Sequence, residues 1–174
     1  MRWNWQQPDW PAFSYASDAL EPLERRFLLA AGELIGAFRH VGRDDHDQLR
    51  VELIVDEALK TSEIEGEILD RDSVQSSLRR HFGLGVDDRK AMPREQGIAE
   101  MMGDLYSGFD RTLSHDLLFA WHTMIIAGER RISAIGSYRT HQDAMQVVSG
   151  SIGRPKVHFE APPSARVGDE MERY

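Results

Sequence analysis

The stretch Val51-Glu-Leu-Ile-Val-Asp-Glu-Ala-Leu-Lys-Thr61-Ser-Glu-Ile-Glu65-Gly66 decides how the chain is read. Val51, Ile54, Val55 and Ala58 recur by threes and fours, the spacing that places side chains on one face of a helix. The same stepping continues to Thr61, Ser62 and Glu65, so an apolar stripe ends in polar groups on the side that faces a core. Gly66 is a terminator, and the predicted helix runs from about Asp47 to Glu65. A carboxylate at a helix C-terminus opposes the helix dipole by a few tenths to ~1 kcal/mol. Glu65 therefore has two readings: an ordinary surface glutamate before a glycine cap, or an inward-aimed carboxylate that meets a partner charge.

Working outward, helices dominate on both sides. Leu20, Leu23, Phe27, Ala31, Leu34, Phe38 and Val41 form one apolar face, which predicts a helix over about Asp18–Val41 that packs against others. Asp18 with Glu21 matches a capping box, Pro22 falls in the first turn, and Gly42 is a plausible stop. Before it, Trp3, Trp5, Pro8, Trp10 and Pro11 make an arm expected to lie over the core, with Trp3 and Trp5 alternating as in an extended segment. A third helix is expected over about Asp70–Phe82, stopped by Gly83 and Gly85. Residues 83–95 are polar and contain Pro93, which reads as a linker and domain boundary. Helical pattern resumes over about Gln96–Phe109. Another helix spans about Ser114–Ala127, capped by Ser114 and buried through Leu117, Leu118, Trp121, Met124 and Ile125.

After Gly128 the character changes. Met145-Gln-Val-Val148 and Val157-His-Phe159 are short β-type runs around the turn-rich Ser149-Gly-Ser-Ile-Gly-Arg-Pro155, the pattern of a β-hairpin with a long loop. Pro162-Pro163 opens a last helix through Val167 and Met171. The chain stops at Tyr174 inside that amphipathic pattern, so it is expected to be C-terminally truncated. The fold class is mainly α with one β-hairpin.

Composition narrows the chemistry. The 174 residues are 41% hydrophobic and 29% charged, enough apolar material for a core without disulfides. Cysteine is absent, which removes disulfide frameworks and thiolate metal sites. No apolar run is long enough for a transmembrane helix, and the start Met1-Arg-Trp-Asn-Trp has no signal-peptide core, so a cytoplasmic protein without a membrane partner is expected. A net charge of −8 argues against a nucleic-acid partner. Arg25-Arg26, Arg79-Arg80 and Arg130-Arg131 read as solvated surface. Gly83-Leu-Gly85 lacks the third glycine of a dinucleotide loop, and no P-loop or Gly-x-Ser-x-Gly elbow occurs. His115 and His122 share a helical face without a third ligand, so no metal site is expected.

Thr61-x-x-x-Glu65-Gly66 is similar to the (S/T)-x-x-x-E-(G/N) inhibitory motif of Fic proteins, a family of protein adenylyltransferases. Trp5-Gln-Gln-Pro-Asp-Trp-Pro11 and Ser62-Glu-Ile-Glu-Gly-Glu-Ile-Leu69 resemble the N-terminal domain that accompanies many bacterial Fic cores. Leu117–Ile125, with Trp121-His122, resembles an early Fic-core helix. Gly136-Ser-Tyr-Arg139, Met145-Gln-Val-Val-Ser-Gly150 and Val157-His-Phe-Glu-Ala-Pro-Pro163 resemble the segment through the family's hairpin flap. The resemblance runs in order over nearly the whole chain.

It implies a Fic-like helical bundle, with residues 1–82 as the N-terminal domain holding the inhibitory helix (about 47–66), 83–95 as the linker and 96–174 as the first part of the core. It implies that Thr61, Glu65 and Gly66 form the inhibitory motif, with Glu65 pairing an arginine that would otherwise hold the ATP γ-phosphate. It implies that Met145, Gln146, Val147, Val148, Val157, His158 and Phe159 belong to a flap that docks the target protein. The complete family enzyme uses ATP and Mg²⁺ through the signature H-P-F-x-(D/E)-G-N-G-R. That signature is absent here, so the chain alone is expected to have no catalytic residue, to bind no cofactor and to transfer no AMP. The expected function is the regulatory part of an auto-inhibited adenylyltransferase. The alternatives are a free-standing, antitoxin-like inhibitor of a Fic enzyme in trans and an unrelated helical interaction domain. Apolar faces carrying Leu117, Trp121, Met124, Val167 and Met171 predict self-association or a loosely folded second half.

Overall fold

The computed structural model describes residues 2–85, 91–129, 131, 132, 134–151 and 153–174. Six α-helices and two strands occur among them: α1 (Ser17–Phe38), α2 (Arg43–Ile64), α3 (Arg71–His81), α4 (Pro93–Ser107), α5 (His115–Ile125), β1 (Gln146–Ser149), β2 (Lys156–Glu160) and α6 (Ser164–Arg173). None of the helices is long and apolar enough to cross a membrane. Contacts divide the chain into two compact units, Arg26–Gly136 and Met1–Arg25 with Ser137–Tyr174. The division does not fall at the expected linker. Residues 86–90 of that linker, and Arg130 of the Arg130-Arg131 pair, lie outside the described residues.

In the first unit the α2 stripe forms the core. Val51, Ile54, Val55 and Ala58 are buried against Val74 and Leu78 of α3 and Ile98, Ala99 and Met102 of α4. Helix α2 begins four residues before its expected start. Gly42 has φ −66° and serves as its N-cap rather than as a left-handed stop for α1. The Gly42 carbonyl accepts from the His46 backbone N–H at 2.9 Å, and the His46 ring contacts the Phe38 carbonyl at 2.7 Å. Asp70 caps α3 by accepting from the Ser73 N–H at 2.8 Å. Arg71 then bridges back to α2, donating to Asp56 at 2.6 Å and Glu52 at 3.0 Å.

Helix α4 starts at Pro93, inside the expected linker, because proline suits a first helical position. It meets α5 where Gly97 passes beneath the Met124 carbonyl: a Cβ at Gly97 would lie 1.9 Å from that oxygen. Asp104 of α4 accepts from Trp121 Nε1 at 2.7 Å and from Arg111 at 2.6 Å, which ties α5 to α4. Ser114 caps α5 as expected, accepting from the Leu117 N–H at 3.2 Å. Its apolar face is less covered than expected: Leu117, Leu118, Trp121 and Met124 are half-buried and Ile125 is exposed. Among the described helices only α4 packs extensively against α5.

Helix α1 overturns the expectation that its apolar face packs. None of its residues is buried. Leu20, Leu23, Phe27, Leu28, Leu34 and Ile35 are all exposed. The helix also ends at Phe38, before the expected Val41, and Pro22 sits in its second turn rather than its first.

The unit made of the chain ends holds the hairpin. Strands β1 and β2 pair antiparallel, with Gln146 opposite Glu160 and Val147 opposite Phe159, and an irregularity comes after Val147. Met145 lies just outside β1, and its carbonyl accepts from the Ala161 N–H at 2.8 Å, which closes the ladder. Trp3 and Trp5 do not alternate along an extended segment. Asn4–Gln6 form a 3₁₀ turn, because the Gln6 N–H bonds the Trp3 carbonyl at 3.0 Å and the Gln6 side chain accepts from the Trp3 N–H at 2.9 Å. Val167 and Met171 of α6 line a cavity of about 360 Å³ with Trp5, Trp10, Phe159 and Tyr174.

Candidate functional site

The end of α2 is closed by two backbone hydrogen bonds. The Gly66 N–H bonds the Glu63 carbonyl at 3.0 Å and the Glu67 N–H bonds the Ser62 carbonyl at 2.8 Å. This is the Schellman arrangement, and it requires a left-handed residue after the cap. Gly66 supplies it with φ +80°. Glu65 is the C-cap, its N–H reaching the Thr61 carbonyl at 3.4 Å. Thr61, Glu65 and Gly66 thus share one turn whose backbone is fixed by that motif.

The side chains here are outside the core. The buried stripe stops at Ala58, Ser62 is half-buried, and Thr61 and Glu65 are exposed. The core resumes only at Leu69, once the chain has turned toward α3. Glu65 is therefore not aimed into the chain's own interior. The unusual feature is the contrast with its neighbours. Glu63 is held by Lys60 at 2.8 Å, and that hydrogen bond keeps the Glu63 carboxyl below its usual range and the Lys60 ammonium above its own. Glu67 is ion-paired with Arg94 of α4. Among the described residues no side chain pairs with Glu65, which stands between them. It is flanked by two bare aliphatic side chains, Ile64 at 83% and Ile68 at 88% exposure.

Sequence reasoning missed those four neighbours. Lys60 was open to it, since Lys60 and Glu63 stand three apart on a helix. Ile64 and Ile68 left a trace as the two large apolar residues in an acidic run. Arg94 left none, because it lies on another helix.

The expected flap residues lie on the hairpin, in the other compact unit. Met145, Val147 and Val148 are more than half or about half exposed. His158 is exposed, and Val157 and Phe159 are half-buried. Gln146 donates to Glu160 at 2.7 Å, and the Ser149 hydroxyl lies 2.6 Å from His158 Nε2. Among the described residues no group of three or more His, Asp or Glu side chains could hold a metal ion.

Residues 3–84 match the model of a protein family described as a domain of unknown function, DUF4172. The matched stretch begins in the tryptophan arm and ends two residues past Phe82, the C-cap of α3. No curated protein matches the chain.

Proposed function

We propose that the chain is the N-terminal regulatory part of a cytoplasmic Fic-type protein adenylyltransferase, held inactive by Glu65. One observation carries this: of three neighbouring carboxylates, Glu63 and Glu67 have ion-pair partners and Glu65 has none among the described residues. A free carboxylate on a fixed turn, with Ile64 and Ile68 bare beside it, suits a partner surface that offers a guanidinium in an apolar surround. The likeness of Thr61, Glu65 and Gly66 to the Fic inhibitory motif names that guanidinium as the last arginine of the catalytic signature. A charge-assisted carboxylate–guanidinium contact is worth roughly 1.5–3 kcal/mol. Glu65 would use it to exclude the ATP γ-phosphate from the same arginine.

In this reading the chain's own part is obstruction by Glu65 and docking by the hairpin. An extended target segment can add to a hairpin edge through main-chain hydrogen bonds, which tolerates varied sequences.

The test joins this chain to a core carrying H-P-F-x-(D/E)-G-N-G-R and measures AMP incorporation from labelled ATP. Glu65→Gly is expected to raise the rate about ten- to a hundredfold, at tenfold per 1.4 kcal/mol. Glu63→Gly and Glu67→Gly are expected to leave it near wild type. Equal rates for wild type and Glu65→Gly at saturating ATP would reduce Glu65 to a surface residue. Unfused, the chain is expected to transfer no AMP above background.

A further inference from the structure

The N-terminal arm grips the far end of the chain through its indoles. Trp5 donates its Nε1–H to the Glu160 carbonyl at 2.7 Å, at the end of β2. Trp3 meets the Phe159 ring edge-on, with centroids 5.9 Å apart and planes at 68°. Five residues beyond Trp5, Trp10 is anchored to α6 instead. Its Nε1–H bonds Glu170 at 3.1 Å, its carbonyl accepts from Arg173 at 2.8 Å, and its ring stacks on Tyr174 at 5.9 Å. Glu170 is buried and also receives Arg166, whose guanidinium lies 5.2 Å from the centre of the Trp5 ring.

The hairpin needs such a hold. A two-stranded hairpin is marginal in water by itself. Every residue of β1 is exposed, and β2 is at most half-buried. Ala161, Pro162 and Pro163 link β2 to α6, and the two prolines have no N–H with which to brace the joint. Arg139 supplies one brace by donating to the Pro162 carbonyl. The arm supplies another, because one end of it is fixed to α6 and the other to β2.

We propose that Trp3 and Trp5 are positioning residues for the hairpin: anchored to α6 through Trp10, they pin the Phe159–Glu160 end of β2 and so fix the direction in which the flap is presented to an incoming chain. The word flap rests on the function proposed above, whereas the pinning does not. A hairpin held in one attitude loses less freedom when a partner docks, which is how preorganisation improves binding.

The absence of cysteine makes the test clean. Ser149→Cys on β1 and Asp169→Cys on α6, both exposed positions, take a pair of spin labels whose distance distribution is read by pulsed resonance. Trp5→Phe keeps a ring and removes the donor, and Trp3→Ala removes the edge contact. Each is expected to broaden the distribution about twofold and to speed amide exchange over residues 146–160 by about two- to tenfold, the range for one net hydrogen bond. Exchange in α6 and in the α2–α4 core is expected to stay within twofold of wild type. An unchanged width and unchanged hairpin exchange in both variants would overturn the proposal. So would loss of protection throughout α6, because the indoles would then hold the unit together rather than aim the hairpin. The measurement uses no target protein, so a failure of the docking role leaves this result standing, and the reverse also holds.

Discussion

Helices α1 and α2 are each 22 residues long, and they exchange the roles their compositions suggest. Helix α1 is the more apolar, with Leu20, Leu23, Phe27, Leu28, Leu29, Leu34 and Ile35, yet buries none of them. Helix α2 is polar over most of its surface and supplies four fully covered core residues. The difference lies in the segment after each helix. After α2 the Gly66 turn, the Asp70 cap and the Arg71 bridge bring α3 back across the stripe. After α1 the Gly42 cap starts α2, and no described element lies extensively on the α1 face. Amphipathic spacing reports which face would be buried; a returning element decides whether it is. The α1 face thus holds driving force in reserve, at about 25 cal/mol per Å² once something covers it.

The two helices should differ most in the core. Leu78→Ala, at a position with no exposure that packs on the α2 stripe, is expected to cost about 2–5 kcal/mol, read by chemical denaturation of the packed unit. Phe27→Ala on α1 is expected to stay within about 0.5 kcal/mol. The same Phe27→Ala change should weaken concentration-dependent association in sedimentation, whereas an equal loss of stability from both variants would mean that α1 packs as α2 does.

Acid should separate the two regions next. Arg111 first, and then the Trp121 N–H, hold the Asp104 carboxyl below its usual range. The folded pKa is depressed, so the contribution is present above the unfolded value and is lost as pH falls through the folded one. From about pH 4 downward the α4–α5 packing should weaken, and Asp104→Asn should flatten that dependence. Helix α1, which no ion pair among the described residues ties to another helix, should show no matching step in its own amide exchange.

Smaller again is Gly66→Ala. Nothing lies within 4 Å of a Cβ there, so the cost is the left-handed backbone alone, about 1–2 kcal/mol. Smallest is Glu65→Gly, expected to change the melting free energy by only a few tenths of a kcal/mol, because an anion at a helix C-terminus opposes the dipole. A large loss from Glu65→Gly would reveal a structural partner and remove the case for a free carboxylate.

Local features of the fold were legible in the sequence. The α2 stripe, the Gly66 and Ser114 caps and the hairpin each depend on residues a few positions apart. What escaped was set by distant partners or by a competing local bond. The bare face of α1 could not be read from Leu20–Phe38, since it depends on what fails to return. The turn at Asn4–Gln6 hides behind a tryptophan alternation because a Gln6 side chain closes it. Glu65 itself was visible as a carboxylate out of place, but its isolation was not. That isolation is defined by Arg94, which neutralises Glu67 from another helix.

The stripe along α2 also works as a ruler. Burial of Val51, Ile54, Val55 and Ala58 locks the rotation of the helix about its own axis. Glu65 comes almost two whole turns after Ala58, so it lies about 20° off the Ala58 line and about 10 Å further along. One residue inserted between them would swing the carboxylate by about 100°, and with it the Gly66 turn that returns α3 across the stripe. The aim of this group is therefore encoded in a length, the spacing from Ala58 to Glu65, and a chain could lose it without losing any residue of the motif.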